Sequence, residues 1–218
     1  MKFDIITIFP DAFDSYLSQS LLGKAQEKDL IEVNVHDLRG WTSEKKGVDD
    51  EPYGGGRGMV MKVGPIYGAV KDVKEENGKV VLFTPRGEEF DQRRASSFSD
   101  LDQLVMICGR YEGVDERVAK HIADLELSIG NYVLMGGELA ALVVMEATSR
   151  LIPGVVQKPE EFQERISEDK GFIEYPQYTR PEVFETETGE EWEVPSVLLS
   201  GDHQKVKEWR EKHQEIVE

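Results

Sequence analysis

The sequence contains one cysteine, no long apolar run and few basic residues, and each shortage excludes a class of protein. A single cysteine cannot form an internal disulfide, so a disulfide-stabilised scaffold is excluded and a reducing compartment is favoured. Nowhere do about 18 apolar residues follow one another, so the sequence predicts no membrane-spanning helix. The start, MKFDIITIFPDAF, has too short an apolar run for a signal sequence. We therefore expect a cytoplasmic protein.

Basic residues are outnumbered, with 26 Lys and Arg against 43 Asp and Glu and a net charge of −17. Because phosphate contacts need Lys and Arg, this balance disfavours a polyanionic partner. It does not exclude one, since a local basic surface can bind nucleic acid on an acidic protein. The length of 218 residues suffices for one large domain, or for a main domain with a small appendage.

The glycine-rich stretch 48–62, VDDEPYGGGRGMVMK, lacks the motifs that would define a ligand. Four of its glycines and a proline fall within seven residues. Backbone amides of such a loop can cradle an anion or a nucleotide. However, the stretch has neither the Gly-Lys-Ser/Thr ending of a P-loop nor the spacing of a dinucleotide fingerprint. A mobile surface loop is the alternative interpretation, and the residues leave both open.

Strand and helix patterns alternate over residues 1–154, which predicts an α/β fold with a parallel sheet covered by helices. The predicted strands are short and rich in β-forming residues, and they cover 3–9, 31–35, 79–83, 104–108 and 132–135. The predicted helices cover 12–28, 65–76, 91–101, 115–123 and 138–151. A polar linker follows at 155–171, and 172–218 is predicted to be a small second unit of turns and one or two helices.

Three junctions of strand and turn are rich in glycine or proline, at 84–87, 109–113 and 129–137. Glycine permits a positive φ and lets another molecule approach the backbone closely. Ligands of open α/β sheets bind beyond the carboxyl ends of the strands. Each junction alone is typical of an ordinary turn, but the three together predict a pocket walled by main chain. Cys108, just before the second junction, is expected to be a small buried core residue.

Long motifs resemble, in order, those of bacterial tRNA (guanine-N1)-methyltransferases, from residue 1 to about residue 210. They are YGGGRGMVMK at 53–62, CGRYEGVDERV at 108–118, SIGNYVLMGGELAA at 128–141, SRLIPGV at 149–155 and YPQYTRPEV at 175–183. The resemblance implies a SPOUT methyltransferase domain with a C-terminal trefoil knot at 1–154, a linker at 155–171 and a shortened, mostly helical tRNA-binding domain at 172–218. It also implies a homodimer that methylates N1 of the guanosine at tRNA position 37, with S-adenosylmethionine as donor and Mg²⁺ as a further requirement.

Carried over by motif, the family's cofactor pocket falls on the three junctions. Its residues are Leu82, Thr84, Pro85, Gly87, Gly109, Tyr111, Glu112, Gly113, Ser128, Ile129, Gly130, Asn131, Tyr132, Val133, Leu134, Gly136 and Gly137. Backbone amides and carbonyls at such positions can hydrogen-bond an adenine and a ribose.

The resemblance also assigns the chemistry. Arg150, in SRLIPG, matches the family's catalytic arginine, although an arginine paired with a carboxylate at a helix end is the alternative. For the general base the family has an aspartate in an Asp-Ser-Phe segment, where this chain has ERISEDKG at 164–171. Asp169 is the first candidate, Glu168 and Glu164 are the reserves, and a solvated linker charge is the alternative for each.

Candidate RNA contacts, from the same resemblance, are Asp49, Arg57, Tyr178, Arg180 and the basic residues between 205 and 210. The chain departs from the family pattern at several places. LFTPRG at 82–87 replaces Leu-Ser-Pro-Gln-Gly, EKKG replaces Arg-His-Arg-Thr before VDD, and Asn131, Met135 and Gln177 replace aspartate, serine and histidine. Two other functions therefore stay open: a SPOUT-like protein that acts on another RNA, and a dimeric binding module without catalysis.

Overall fold

The structure is a computed structural model that describes residues 1–42, 47–156, 165–167 and 171–217. It forms two compact units, Met1–Pro159 and Glu160–Glu218. None of the helices in these ranges is both long enough and apolar enough to cross a membrane. The division falls inside the predicted linker, and the predicted boundaries at 154 and 171 stay predictions.

A parallel five-stranded sheet forms the centre of the first unit, which confirms the predicted α/β class. The strands of this unit are β1 (Lys2–Thr7), β2 (Glu32–Asp37), β3 (Asp49–Asp50), β4 (Val60–Met61), β5 (Lys79–Glu89), β6 (Gln103–Ile107) and β7 (Leu125–Ser128). The order across the sheet is β2-β1-β6-β5-β7, and every neighbouring pair is parallel. Strands β3 and β4 form a separate antiparallel hairpin.

Helices cover both faces of the sheet. They are α1 (Asp14–Leu17), α2 (Ser20–Glu27), α3 (Val63–Val73), α4 (Gln92–Ser99), α5 (Glu116–His121) and α6 (Glu138–Ser149), with 3-10 turns at Pro10–Ala12 and Leu38–Trp41. One core joins α2, α4 and α6 to alternate residues of β1 and β6, such as Phe3 and Met106. The other joins α3 and α5 to the intervening residues, such as Ile6 and Ile107. The central strands β1 and β6 are buried on both sides, as is typical of parallel sheets.

The predicted helix over 12–28 is wrong as one continuous element. It is divided into the 3-10 turn, α1 and α2, and α2 starts at Ser20 with a positive φ of 51°. At the break the backbone of Ser18 lies close to α2, since a Cβ added to Gly23 would lie 2.8 Å from the Ser18 carbonyl oxygen. The apolar periodicity of the sequence does not reveal such a break in a helix.

The predicted strand at Tyr132–Met135 is also wrong. These residues form a loop in which Val133 is 82% exposed and Met135 is 89% exposed. The edge strand is instead β7, four residues that carry Glu126 among apolar neighbours and were not predicted. An apolar run indicates that its side chains are buried, but it does not indicate whether they pack against the core of the same chain or against another molecule.

The second unit contains more strand than predicted. Its elements are β8 (Phe172–Glu174), β9 (Val183–Glu185), β10 (Glu191–Glu193), α7 (Ser196–Leu199), α8 (His203–His213) and β11 (Glu215–Val217). Strands β8 and β11 pair antiparallel, as do β9 and β10. Helix α8 is capped by Asp202, whose side chain accepts hydrogen bonds from two backbone amides, and its last turn is basic. The mostly helical prediction thus omitted two small sheets.

Candidate cofactor-binding site

A cavity of about 370 Å³ lies beyond the carboxyl ends of β6 and β7, beside a bulge in β5. The three predicted junctions meet around it. Predicted cofactor residues that line it are Leu82, Thr84, Pro85, Gly109, Tyr111, Glu112, Gly113, Ser128, Ile129, Gly130, Tyr132, Val133, Leu134, Gly136 and Gly137. Gly87 and Asn131 lie in the same segments but outside the lining. The convergence was predictable from the strand ends, whereas cofactor binding by these residues stays a prediction.

The first wall is a bulge in β5. Phe83 and Glu88 both lie opposite Leu127 of β7, so residues 84–87 leave the ladder between them. The bulge returns to the sheet at Gly87, where an added Cβ would lie 2.5 Å from the Glu126 carbonyl carbon. Glycine is therefore needed here to close the bulge against β7, which explains its place beside the cavity rather than in it.

The second wall, 109–113, is joined to the glycine-rich hairpin. Tyr111 has a positive φ of 61° and Gly113 one of 126°, which turns the chain sharply. The Glu112 amide donates to the Met59 carbonyl at 3.0 Å, and the Met61 amide donates to the Gly113 carbonyl at 2.9 Å. The stretch 48–62, for which a backbone cradle and a mobile loop were both open, thus contains the hairpin β3-β4. Met59 and Met61 of this stretch support the second wall.

The third wall, 129–137, follows β7 and leads into α6. Gly130 has a φ of 149°, and the Ser128 hydroxyl donates to its carbonyl at 3.0 Å. At the other end, the Gly137 amide donates to the Gly109 carbonyl at 3.0 Å. A Cβ added to Gly137 would lie 2.7 Å from Cys108 Cα, so the two walls touch main chain to main chain.

A buried carboxylate that the sequence analysis missed lies behind the cavity. The Thr7 hydroxyl donates to Glu138 Oε1 at 2.8 Å, and Arg110 Nε donates to Oε2 at 2.9 Å. The Glu138 side chain is only 4% exposed, so this pairing is required for its burial. Burial, together with the Glu138 charge, also raises the pKa of the Cys108 thiol well above 9.0. Cys108 is therefore an inert core residue, as expected.

Charged residues on the cavity rim were also missed. Arg86 Nε donates to Glu126 Oε2 at 3.0 Å, and its Nη2 donates to Glu116 Oε2 at 2.5 Å. The hydrogen bond from Arg86 holds the pKa of Glu116 below its usual value. All three line the cavity. The signal available in the sequence was the arginine of LFTPRG, although its partners lie 30 and 40 residues away.

The other predicted site residues are distributed over both units. Asp49 is half-buried at the start of β3, and Arg57 is exposed in the loop of the hairpin. In the second unit, Tyr178 and Arg180 are both exposed, and the ring of Tyr178 packs edge-on against Trp209 with centroids 6.3 Å apart.

The catalytic candidates are only partly described. Arg150 is exposed and caps the C-terminus of α6. The predicted bases Asp169, Glu168 and Glu164 lie outside the described residues. Within the described ranges, no group of three or more His, Cys, Asp or Glu side chains could hold a metal ion.

Comparison with known proteins identifies the family. A family model described as tRNA (guanine-1)-methyltransferase TrmD matches residues 1–217. The chain belongs to the TrmD family. A tRNA (guanine-N(1)-)-methyltransferase of Geobacter sp. (strain M21) is 51% identical over 217 residues, covering 98% of this chain and 85% of the relative. The protein of the same name from Dictyoglomus turgidum is 48% identical over 213 residues, covering 97% of this chain and 84% of the relative.

The family assignment gives the cavity its interpretation. Two of the three cavity walls coincide with the motifs CGRYEG and SIGNYVLMGGEL, so the fold brings together two of the segments that carry the resemblance. Two charged residues near the cavity were missed. Glu138 lies inside the motif SIGNYVLMGGEL, and Arg86 lies in LFTPRG, where the chain departs from the family pattern. A search for charged residues near the three strand ends would have found both.

Proposed function

We propose that this TrmD-family protein methylates N1 of the guanosine at position 37 of tRNA, with S-adenosylmethionine as the methyl donor. The main support is the cavity formed by three glycine-bearing segments, two of which lie in the motifs that resemble the TrmD family. A tRNA substrate also agrees with the cytoplasmic location expected from the sequence. The Thr84, Gly109 and Ser128 segments would hold the adenosine through main-chain groups.

The residues present fit S-adenosylmethionine in size and charge. The volume of about 370 Å³ lies in the range of small-molecule sites. Three carboxylates line the cavity, from Glu112, Glu116 and Glu126, against two guanidinium groups. This acidic lining suits a ligand that carries a sulfonium cation. When bound, the donor supplies an activated methyl group.

The protein's own groups would handle the proton and the charge on the base. A carboxylate of the linker, with Asp169 first and Glu168 or Glu164 in reserve, would accept the proton from guanine N1. Arg150 would stabilise the negative charge that develops on O6. Asp49, Arg57, Tyr178 and Arg180 would contact the tRNA. These roles follow from the resemblance.

Magnesium is part of the family expectation, but the described residues fit it less well. The three cavity carboxylates do not form a cluster that could hold a metal ion. Mg²⁺ does bind through one or two carboxylates together with substrate oxygens, so a site shared with the substrate fits its chemistry. We assign it no role in the reaction.

The knot is supported by the path of the chain after β7. Strand β7 lies beyond β5 at the edge of the sheet, while β6 lies on the other side of β5. Residues 129–137 nevertheless return to β6, where Gly137 is hydrogen-bonded to Gly109. A chain that crosses the end of β5 in this way is what a trefoil knot at the C-terminal end of a domain over 1–154 requires. The linker 155–171 and a tRNA-binding domain at 172–218 complete the proposed organisation.

The proposed homodimer is supported by an exposed apolar surface on the third wall and α6. Val133 and Met135 are 82% and 89% exposed, and Leu139 and Val143, one turn apart on α6, are 60% and 46% exposed. Large exposed apolar side chains in neighbouring segments are typical of an interface with another protein. Sedimentation should give a dimer mass for the wild type, and Leu139→Glu should give a monomer. A wild-type monomer would contradict this part of the proposal.

Labelling of tRNA transcripts tests the function directly. Transcripts with guanosine or adenosine at position 37 should be incubated with radiolabelled S-adenosylmethionine, and label should enter only the guanosine transcript. Digestion to nucleosides should then give 1-methylguanosine. Equal labelling of both transcripts would exclude position 37, and no heat on titration with S-adenosylmethionine would exclude the methyl donor.

Substitution of the arginine tests its role. Arg150→Ala should lower turnover by about 100-fold to 1,000-fold, the usual loss when an oxyanion-stabilising donor is removed. Affinity for S-adenosylmethionine should stay unchanged, because Arg150 does not line the cavity. Arg117→Ala is the matched control, since Arg117 pairs with Asp115 on the surface at 2.7 Å. Unchanged turnover in Arg150→Ala would remove it from the mechanism.

A further inference from the structure

The bulge in β5, residues 84–87, borders the cavity and carries the long cationic side chain of Arg86. Residues 84–87 leave the β-ladder between the two pairings to Leu127, and Gly87 anchors them against the backbone of β7. Arg86 is exposed, and its guanidinium reaches two other elements that border the cavity. The bulge is thus held at Gly87 by close packing against the main chain of β7, and at Arg86 by side-chain hydrogen bonds.

The two contacts of Arg86 connect three sides of the rim. Glu126 lies on β7 and Glu116 in the first turn of α5, with oxygen atoms 3.0 Å and 2.5 Å from the Arg86 nitrogens. Both carboxylates raise the pKa of Arg86, with the Glu116 hydrogen bond as the larger cause. One guanidinium therefore holds two carboxylates that would otherwise repel each other.

The exposure of these groups determines what the contacts can do. The side chains of Arg86, Glu116 and Glu126 are 57%, 49% and 32% exposed. Ion pairs of this kind add little to fold stability and are screened by salt. They can open and close readily, which suits a reversible closure of the rim better than a permanent structural tie.

We propose that Arg86 is a positioning residue that fastens the 84–87 bulge across the rim of the cavity and slows ligand exchange. The identity of the ligand, S-adenosylmethionine, rests on the proposed function. Glutamine in place of Arg86 could donate hydrogen bonds but could not form an ion pair.

The substitution Arg86→Gln tests the closure, with Arg94→Gln as control. Arg94 forms an equally short ion pair, at 2.5 Å, to Glu88 just beyond the bulge, but it does not line the cavity. Release of radiolabelled S-adenosylmethionine into excess unlabelled ligand should be about threefold to tenfold faster in Arg86→Gln, the size expected of two exposed ion pairs. Raising the salt from about 0.05 M to 0.5 M should bring the wild type close to the variant, because the Debye length shrinks. Arg94→Gln should behave as the wild type does.

A second measurement needs no ligand. Hydrogen exchange of the Thr84, Arg86 and Gly87 amides should be faster in ligand-free Arg86→Gln than in ligand-free wild type, and Glu116→Gln should have a smaller effect of the same sign. In turnover assays Arg86→Gln should raise the KM for the methyl donor and leave kcat within about twofold, as expected for loss of uniform binding.

The outcomes separate this inference from the proposed function. Equal release rates in Arg86→Gln and the wild type, or equal exchange at 84–87, would overturn the closure even if the protein is an active methyltransferase. If the wild type does not bind S-adenosylmethionine, the proposed function fails, and the exchange measurement alone then decides whether Arg86 fastens the bulge.

Discussion

Around Asp4, in the amino half of β1, buried polar side chains are hydrogen-bonded to one another, whereas at the carboxyl ends of the strands main chain surrounds an open cavity. In the first region, Asp4 on β1 is 1% exposed and lies 2.7 Å from His36 Nε2 and 2.6 Å from Gln103 Nε2. Gln103 also accepts from the Glu75 amide and donates to the Val73 carbonyl, both at 2.8 Å, and so ties the end of α3 to the sheet. We call Asp4, His36 and Gln103 the amino-end network.

The cavity has the opposite construction. Its walls meet through backbone contacts of Gly109 and Gly137, and its charged side chains lie at the rim or behind the wall. A network with its polar groups satisfied specifies and stabilises the fold. A cavity with accessible main-chain groups retains hydrogen-bonding capacity for a ligand. Substitutions in the two regions should therefore affect different measurements, and four predictions test this separation.

Loss of the Asp4 carboxylate should have the largest effect, and it should be on stability. Asp4→Ala leaves His36 and Gln103 without their shared acceptor, which should lower the free energy of unfolding by about 3 kcal/mol in urea titrations. Affinity for S-adenosylmethionine, measured by calorimetry on the folded variant, should not change. Asp102→Ala, at an exposed position just before β6, should stay within about 0.5 kcal/mol of the wild type. A large loss of affinity in Asp4→Ala would break the proposed separation.

Overpacking of the cavity should act mainly on binding. In Gly137→Ala the added Cβ would lie 2.7 Å from Cys108 Cα and 3.2 Å from the Gly109 nitrogen, so the two walls must separate. We expect a loss of affinity of about 1 to 3 kcal/mol, as for other overpacked sites. Gly64→Ala is the control, because no atom lies within 4 Å of a Cβ added there. Equal affinity in both variants would contradict the proposed contact between the walls.

Acid should weaken the amino-end network. Burial raises the pKa of Asp4, but hydrogen bonds from His36 and Gln103 and the charge of Lys2 outweigh it, so the pKa lies below 3.8. The carboxylate therefore stabilises the fold above pH 3.8, and this contribution is lost as the pH falls through the lower folded pKa. Urea titrations between about pH 5 and pH 2 should show the advantage of the wild type over Asp4→Asn shrinking with acid. A constant difference would exclude Asp4 as the titrating group.

The smallest effect concerns Cys108, which lies directly behind the cavity wall. It is fully buried and the pKa of its thiol is raised, so iodoacetamide should not label the folded wild type at neutral pH. One thiol should be labelled in urea, and slow labelling should appear in folded Gly137→Ala, where the wall has moved. Rapid labelling of the folded wild type would show that the wall opens without substitution.

The sequence predicted the parallel sheet and the meeting of three chain segments because both depend on local signals. Strands β1 and β6 each contain a run of consecutive buried apolar residues, and Gly109 and Gly130 follow β6 and β7, where the chain turns. Helix α6 was predicted within two residues at its C-terminal end, since its residues favour helix and a proline follows.

The parts that could not be predicted depend on contacts between residues distant in sequence. Asp4 and Gln103 are 99 positions apart, and Thr7 and Glu138 are 131 apart, so no local pattern marks these pairs. The exposed run at Tyr132–Met135 was mistaken for a strand because its apolar side chains do not face the core of this chain. Four-residue β7 was missed because Glu126 interrupts its apolar pattern, and that glutamate binds Arg86 at the rim.

The hairpin β3-β4 and the second cavity wall share three main-chain hydrogen bonds, from Glu112 to Met59, from Met61 to Gly113 and from Asp115 to Met61. These bonds join main-chain groups and so do not depend on the side chains of either partner, although the φ of 126° at Gly113 favours glycine there. A displacement of the wall should therefore be transmitted to the loop that carries Arg57. A ligand that moves the wall is expected to change the conformation of this loop as well.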